Sequence, residues 1–214
     1  MLTENNKLEK QIQECQKCKQ NEKICEYIME MKPRSFYGSP NPEVMIIGHS
    51  PAVRTSEPAE VVLKMNKPEQ PLYKYITSEI LSPLNISVEN IYCTNMIKCN
   101  TSKLPENIKN EVNFFDIAFK NCRNLLEEEI RVINPKLIIS LSERVLSMFS
   151  KEYTDREYTM KEAFGNLLFF TFENKKIPYI PVVHIPKGKN SLVARHYFPE
   201  QTERLRKVKD KLAF

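Results

Sequence analysis

Short apolar runs alternate with helical patterns along this chain. The runs that predict strands cover residues 44–47, 90–95, 137–141 and 180–184, and residues 165–172 are a candidate for a further strand. Helical patterns cover residues 72–84, 114–133, 142–149 and 200–212. Apolar strands that alternate with helices are typical of a parallel sheet covered on both faces. The pattern therefore predicts an α/β fold with three layers, αβα, around a central, mostly parallel four-stranded sheet.

The whole chain, residues 1–214, is expected to form one domain, because 214 residues of which 41% are hydrophobic can build one good core. Residues 1–32 are rich in Lys, Glu, Gln and Asn, and they are expected to pack on this domain as a cysteine-bearing segment with helical parts. Residues 50–71 contain four prolines and predict a long loop. Loops at the carboxyl ends of parallel strands are where such sheets usually place their sites.

Composition and charge narrow the range of partners. The chain has 32 basic and 27 acidic residues, a net charge of +5 that is compatible with a polyanion such as DNA. The first ten residues lack the apolar core of a secretory signal, and no apolar run approaches the roughly 20 residues of a membrane helix. We therefore expect a cytoplasmic monomer with no membrane partner, in a compartment where thiols stay reduced.

The six cysteines add a candidate metal site, because two of them form a C-x2-C pair. Cys15 and Cys18 have the spacing with which two thiolates reach one metal centre from a single turn. Cys99, just past the second predicted strand, and Cys122, in the second predicted helix, are candidates to complete the site. Four thiolates suit either zinc or an iron–sulfur cubane, and spacing alone does not choose. The alternative for any cysteine is a small buried hydrophobic residue. We assign the other two, Cys25 and Cys93, to that class.

Several motifs follow one another in a recognisable order. They are the C-x2-C pair, an apolar strand ending in Gly48-His49-Ser50-Pro51-Ala52, the segment Thr94-Asn95-Met96-Ile97-Lys98-Cys99, the distal Cys122, an N-P-K-x-I-I-x-L strand at 134–141, and Val183-His184-Ile185-Pro186. Over nearly the whole chain, this order resembles the family 4 uracil-DNA glycosylases. The resemblance implies that fold, activity on a base in DNA, and a structural [4Fe-4S] cluster held by Cys15, Cys18, Cys99 and Cys122, with zinc as the second choice.

The resemblance is weakest at the motifs that form the family's base pocket. Family 4 members usually have G-E-x-P-G where residues 48–52 read G-H-S-P-A, which is closer to family 5 in its last position. The usual G-x-P-F-x-G segment, whose Phe stacks on the base, is replaced by Q-P-L-Y-K-Y at 70–75. The final H-P-S/A motif has become H-I-P at 184–186, and the interval between Cys99 and Cys122 is longer than usual. The resemblance therefore supports the fold and the cluster more strongly than the substrate.

His184 and Asn95 are the first candidates for chemistry. Cleavage of an N-glycosidic bond places negative charge on the departing pyrimidine, and a His at a strand end can donate a hydrogen bond to the base O2. The Asn95 carboxamide can accept from N3–H and donate to O4 of a flipped uracil, and after a 180° rotation it fits cytosine instead. The structural alternatives are a His with a backbone partner and an Asn that caps a loop.

Four further residues are expected around the base. Tyr73 stands in place of the family's stacking Phe, although an aromatic residue at helical spacing is more often part of the core. His49 stands where the family has an acid. It can position or polarise the attacking water through its ring or the adjacent backbone, contact a DNA phosphate, or have no role. Its neighbours in the motif, Gly48 and Ser50, are expected to contact the base.

Residues 187–195 follow the His184 motif directly and are expected to contact DNA. Lys187, Lys189 and Arg195 supply cations for phosphates, and Leu192 can wedge into the gap left by the flipped base. The alternative is an ordinary solvated loop.

Three functions remain compatible with the sequence. The first is a repair glycosylase that removes uracil and leaves an abasic site. The second is a glycosylase for a bulkier modified pyrimidine, such as a hypermodified base of phage DNA, with a role in defence. The third is a nucleic-acid-binding protein that has kept the fold and the metal and lost catalysis.

Overall fold

The computed structural model describes residues 2–29, 31–51, 60–102, 108, 111–185 and 198–212. Its described strands form one six-stranded sheet in the order β1-β3-β2-β4-β6-β5. The central four strands, β3, β2, β4 and β6, are parallel, and β1 and β5 pair antiparallel at the two edges. The strands are β1 (Phe36–Tyr37), β2 (Val44–Gly48), β3 (Ile91–Asn95), β4 (Leu137–Leu141), β5 (Leu168–Phe172) and β6 (Lys175–Val182). The predicted α/β fold with a parallel four-stranded centre is confirmed, and the sheet is wider by two antiparallel edge strands.

The parallel strands form where the sequence has short, wholly apolar runs. Every residue of β2, β3 and β4 is buried, as expected for strands covered on both faces. Alternate side chains of β2 serve the two layers: Met45 and Ile47 pack with one set of helices, and Val44 and Ile46 with the other. The sheet therefore separates two apolar clusters, which is the basis of the three layers.

The described helices cover both faces of this sheet. They are α1 (Leu2–Glu14), α2 (Pro71–Tyr75), α3 (Ser82–Leu84), α4 (Glu111–Ile133), α5 (Glu143–Tyr153), α6 (Met160–Ala163) and α7 (Phe198–Lys209). A π-helical turn, Ile76–Leu81, joins α2 to α3, and short 3-10 helices occur at Cys25–Tyr27, Val62–Lys64 and Val88–Asn90. Buried residues of α4 and α5 share one cluster, and those of α2, α3 and α7 share the other. None of the described helices is both long and apolar enough to span a membrane.

The N-terminal segment packs on the α4 side of the sheet. Ile24, Tyr27 and Ile28 are buried in the same cluster as α4, and Tyr27 meets Phe114 edge to face with ring centroids 5.7 Å apart. The buried side chains of Leu8 and Ile12 lie on α1. The few apolar positions of this polar segment are thus the ones that it buries.

A buried ion pair ties the second parallel strand to α4. Lys98, which follows β3, pairs with Glu129 of α4, and both side chains are almost fully buried. Thr94 donates to Glu129 at 2.7 Å and accepts from Lys98 Nζ at 2.7 Å, while the Tyr92 hydroxyl also donates to Glu129. Such a pair contributes little net stability beyond what apolar packing would give, but removal of one partner leaves an uncompensated buried charge. The network therefore fixes β3 and the residues after it in one position relative to α4.

Candidate active site

The predicted catalytic and base-binding residues that the structure describes are Gly48, His49, Ser50, Tyr73, Asn95 and His184. Gly48 and Asn95 are the last residues of β2 and β3, and His184 lies two residues beyond β6. Because these strands are parallel, their carboxyl ends lie at the same edge of the sheet. The fold therefore brings the three segments that carry Gly48, Asn95 and His184 to one edge, as the sequence predicts.

Gly48 allows the Asn95 side chain to lie directly over the backbone of β2. The two residues are paired in the strand register, and a Cβ atom added to Gly48 would lie only 2.4 Å from Asn95 Oδ1 and 2.8 Å from Leu63 Cδ2. Both distances are shorter than any ordinary contact, so a larger residue would displace Asn95. The Asn95 side chain is buried, and its carboxamide forms no hydrogen bond with another described residue. It is thus held in place by packing, and no described residue occupies its donor and acceptor atoms.

The loop after β2 is fastened to the segment after β3 by backbone hydrogen bonds. Met96 N–H donates to Gly48 O at 2.8 Å, Ile97 N–H to His49 O at 2.9 Å, and Thr101 N–H to the carbonyl of Pro51 at 3.2 Å. These bonds extend the pairing of β2 and β3 past their ends. The loop that carries His49 and Ser50 is therefore positioned by the segment that runs from Asn95 to Cys99.

Two residues that the sequence analysis missed hold the backbone next to His184. Gln201 of α7 is fully buried, its Oε1 accepts from Val183 N–H at 2.8 Å, and its Nε2 donates to the Tyr75 hydroxyl at 3.0 Å. The Tyr75 hydroxyl in turn donates to Val183 O. Burial raises the pKa of Tyr75 well above its usual value, so this hydroxyl keeps its proton. A closed ring of three hydrogen bonds therefore fixes the residue that precedes His184.

The His184 side chain is exposed just beyond the end of β6, next to the residue that these hydrogen bonds fix. Its Nδ1 lies 3.1 Å from Ile185 O. Because a carbonyl can only accept, Nδ1 carries a proton in this arrangement, and Nε2 of the neutral ring is then an acceptor. To donate a hydrogen bond from Nε2, the ring must either carry both protons or release this carbonyl.

His49 and Ser50 contact each other, and His49 is neutral. Ser50 Oγ lies 3.1 Å from His49 Nδ1, and the His49 ring packs on Phe115 of α4 with centroids 4.3 Å apart. Burial, helped by the nearby positive charges of Arg144 and His184, lowers the pKa of His49 to about 3. A histidine with this pKa is a poor proton acceptor near pH 7, although it can still form hydrogen bonds.

Tyr73 lies half-buried in α2 and packs against the apolar cluster on the α7 side of the sheet. This position agrees with the core alternative as well as with stacking on a base. Its proposed contact with the base stays a prediction.

Ser142 also lies at this edge, and the sequence analysis did not single it out. It follows β4 with φ +100°, in a region that residues other than glycine rarely adopt, and its N–H donates to Val182 O at 3.0 Å. Its Oγ is shielded from solvent and has no hydrogen-bond partner among the described residues. Strained backbone of this kind clusters at functional sites, which makes Ser142 a further candidate.

Three of the four predicted ligand cysteines interact beside α4. Cys18, Cys99 and Cys122 are almost completely buried, and Cys15 is half-buried just after α1. A hydrogen bond with Cys122 lowers the pKa of Cys18, but hydrogen bonding to Cys99 and burial outweigh it and raise the pKa to about 12. The hydrogen bond with Cys18 and burial raise the pKa of Cys122 well above its usual value. Lys98 N–H also points at Cys122 Sγ, 3.5 Å away.

These thiols have the donor chemistry of a metal centre. The net effect of burial and of their hydrogen bonds disfavours deprotonation of Cys18 and Cys122, and a bound metal ion or iron–sulfur cluster would supply the positive charge that reverses this effect. Among the described residues, however, no group of three or more His, Cys, Asp or Glu side chains has the arrangement of a metal site. The ligand set and the identity of the cofactor therefore stay predictions. Cys93 is buried within β3, and Cys25 is half-buried with its thiol 3.7 Å from Glu22 O.

The predicted DNA contacts at Lys187, Lys189, Leu192 and Arg195 lie outside the described residues. They stay predictions.

Comparisons with known proteins agree with the motif order and the fold. The family model of the Uracil DNA glycosylase superfamily matches residues 35–206. The chain is also similar to the type-4 uracil-DNA glycosylase of Sulfurisphaera tokodaii, with 18% identity over 202 residues that cover 94% of this chain and 83% of that protein. The family match includes β1 to β6 and most of α7, and therefore every strand end that forms the candidate site.

Proposed function

The chain belongs to the uracil DNA glycosylase superfamily, and from this premise we propose that it hydrolyses the N-glycosidic bond of a uracil flipped out of DNA. The observation that carries the proposal is the Asn95 carboxamide, which packs over Gly48 at the sheet edge where the His184 segment also ends, and whose polar atoms form no hydrogen bond with a described residue. An amide that packing holds in place can form hydrogen bonds with the edge of a base that enters the site from outside.

In this proposal Asn95 recognises the base and His184 stabilises the charge that leaves with it. As the bond between C1′ and the base breaks, its electron pair moves to the pyrimidine ring and O2 becomes negative. When the ring carries both protons, or once Nδ1 has released Ile185 O, a hydrogen bond from His184 Nε2 to O2 lowers the energy of this anion. The braced backbone at Val183 keeps the imidazole close to one position. Such preorganisation matters because a displacement of about 1 Å can reduce the rate about 100-fold.

Water completes the reaction by adding to C1′, and the products are a free base and an abasic site. His49 is neutral and weakly basic, so its contribution is to orient this water, directly or through Ser50, and not to remove its proton. The fastened loop from Gly48 to Pro51 keeps the backbone carbonyls near this water in place.

We further propose that Cys15, Cys18, Cys99 and Cys122 hold a [4Fe-4S] cluster, with zinc as the alternative occupant. When bound, such a cluster supplies a structural crosslink between distant parts of the chain. Cys99 ends the segment that begins at Asn95 and that holds the loop after Gly48. The ligands therefore serve the site by fixing this segment from its far end.

A modified pyrimidine is a second candidate substrate, because the Asn95 carboxamide also fits it in its other orientation. Rotated by 180°, the amide presents the donor and acceptor pattern that suits cytosine and its derivatives. Because no described residue hydrogen-bonds to the amide, no described contact selects one rotamer.

Excision assays on defined oligonucleotides test the proposal. Duplex and single-stranded substrates that carry uracil, hypoxanthine, 5-hydroxymethylcytosine or its glucosylated form are incubated with the protein and cleaved with alkali at abasic sites. Cleavage only at uracil supports the first function, and cleavage only at modified cytosine supports the second. Binding without cleavage of any substrate supports the non-enzymatic alternative. His184→Ala and Asn95→Ala should abolish cleavage, whereas Gln11→Ala, an exposed change on α1, should leave it unchanged.

Metal analysis of anaerobically purified protein tests the cofactor. Iron with broad absorbance near roughly 400 nm supports the cluster, and zinc without colour supports the alternative. Cys122→Ser should lose the metal and Cys25→Ser should retain it. Retention of full metal content by Cys122→Ser would contradict the ligand assignment.

A further inference from the structure

A cavity of about 650 Å³ opens between α4 and α5, beside the candidate active site. Of the described residues predicted for that site, His49 alone lines this cavity; Asn95, Tyr73 and His184 do not. Its volume lies within the ~300–1,000 Å³ range of small-molecule sites. The loop that carries His49 therefore also borders a cavity between these two helices.

The floor of the cavity is aromatic and apolar. Phe115 and Phe119 of α4 and Met148 of α5 line it, and the His49 ring packs on Phe115. The Arg144 guanidinium lies 5.1 Å from the centre of the Phe115 ring on another side. Phe115 and Phe119 are almost completely buried, so a planar, uncharged ring would contact the small exposed part of these two rings together with the half-buried Met148.

The rim of the cavity is positively charged. The charged side chains that line it include Lys120, Arg144, Lys151 and Asp116. Arg123 and Glu152 also line it, but they form an ion pair of 2.6 Å and neutralise each other. Neither Lys120 nor Lys151 forms an ion pair with another described residue. Among the described lining residues, Lys120 and Lys151 outnumber the one remaining carboxylate, Asp116, which favours an anionic ligand.

His49 supplies a polar atom that has no partner among the described residues. Its Nε2 is shielded from solvent and forms no hydrogen bond there. A buried polar group without a partner costs free energy, and a ligand in the cavity can remove this cost. Because the ring is neutral, Nε2 is an acceptor or a donor according to the tautomer that Ser50 selects at Nδ1.

We propose that this cavity binds a nucleotide, with its base on the Phe115–Phe119 floor beside His49 and its phosphate between Lys120 and Lys151. An aromatic floor, a cationic rim and one unpartnered ring nitrogen match the three parts of such a ligand. The nucleotide can be free in solution or can belong to a DNA strand that is bound at the active site. The strand version rests on the proposed function, whereas the free version does not.

The test measures binding directly, without excision. Calorimetric titrations use dTMP, thymidine, inorganic phosphate and an oligothymidylate of eight nucleotides, none of which contains an excisable base. The cavity variant carries Lys120→Ala and Lys151→Ala. Its matched control carries Lys176→Ala and Lys209→Ala, which remove the same charge from exposed positions elsewhere. Binding should weaken at least ~10-fold in the cavity variant and less than about twofold in the control.

Every outcome of these titrations either supports or overturns the proposal. If dTMP binds and the cavity variant loses it, the ligand is a free nucleotide; if only the oligonucleotide binds and is lost in the same way, it is a strand nucleotide. Equal losses in both variants, no loss in either, or no binding of any probe overturns the proposal. Equally tight binding of thymidine and dTMP overturns the role of the lysines.

The three histidines offer a second readout. In ¹⁵N-edited spectra of imidazole nitrogens, dTMP or the oligonucleotide should shift His49 Nε2 when it occupies the cavity. The His49→Phe variant keeps the ring on Phe115, removes this nitrogen and should weaken nucleotide binding while leaving phosphate binding intact. An unchanged His49 resonance at saturating ligand would contradict the location.

Discussion

Replacement of Gln201 by leucine should destabilise the protein and disturb the active site together. Gln201 is fully buried, and it forms hydrogen bonds with Val183 N–H and with the Tyr75 hydroxyl. Leucine has a similar size but offers no acceptor, so Val183 N–H would be buried without a partner. The Tyr75 hydroxyl would keep its bond to Val183 O but lose the donor that Gln201 provides.

The expected cost follows from these two losses. A buried donor without a partner costs ~1–3 kcal/mol, and loss of one ordinary hydrogen bond adds about 1 kcal/mol. The sum, roughly 2–4 kcal/mol, corresponds to a decrease in Tm of about 5–15 °C for a domain of this size. Greater freedom of the backbone at Val183 should also reduce kcat roughly 10- to 100-fold with little change in KM, because His184 loses its fixed position.

Thermal and urea denaturation, with excision kinetics on the best oligonucleotide, measure both effects. Gln11→Leu, the same replacement at an exposed position of α1, is the matched control and should change stability by less than about 0.5 kcal/mol. Gln201→Glu gives a second test. An ionised carboxylate accepts from Val183 N–H but cannot donate to Tyr75, and it regains a donor when it is protonated, so lower pH should restore stability to this variant relative to wild type. If Gln201→Leu had the same stability and kinetics as the wild type, the inference that Gln201 holds the backbone at Val183 would be refuted.

Three further outcomes are expected. Gly48→Ala should raise KM for the substrate at least about 10-fold, because its Cβ would lie 2.4 Å from Asn95 Oδ1; a crystal structure with Asn95 unmoved would contradict this reasoning. Glu129→Gln should lower the free energy of unfolding by ~3–5 kcal/mol, since Lys98 keeps a buried charge without its partner, and urea titration measures the loss. The neutral form of His49 should make stability fall as pH decreases from about 6.5, its usual pKa, towards about 3, because the unfolded state alone takes up this proton. His49→Phe should reduce that slope, by at most ~1.4 kcal/mol per pH unit, and an identical slope in both proteins would argue against the lowered pKa.

The sequence was sufficient for the parts of the fold that depend on strongly patterned burial. Residues 44–48 and 137–141 form strands whose every position is buried, and such runs are easily recognised. The edge strand at 36–37 is only two residues long, which is too short for any periodic signal. The first half of β6 was missed because it pairs with β5 in a hairpin and is partly exposed. The turn of that hairpin places Glu173 and Asn174 at positive φ, a conformation that the sequence does not mark with glycine.

The candidate site was predictable where a residue ends a strand, and not where it supports another residue. Gly48, Asn95 and His184 follow apolar runs and belong to the motifs that carry the family resemblance, and these two signals together singled them out. Tyr75 is one aromatic residue among several apolar positions in a helix, and Gln201 is one polar residue in a helix rich in charge. Neither pattern indicates that the two side chains meet across the sheet edge at Val183. The cavity beside His49 likewise depends on how far apart α4 and α5 lie, which no local pattern specifies.

The hydrogen bonds that Gln201 and Tyr75 form with Val183 have a consequence for protein synthesis. Gln201 emerges from the ribosome after His49, Asn95 and His184, so the growing polypeptide contains these three predicted active-site residues before it can hold the last of them in place. Until α7 docks, Val183 N–H lacks the acceptor that Gln201 provides, and the backbone next to His184 is not yet fixed. If the proposed function holds, a nascent chain should therefore be inactive until this late helix has docked.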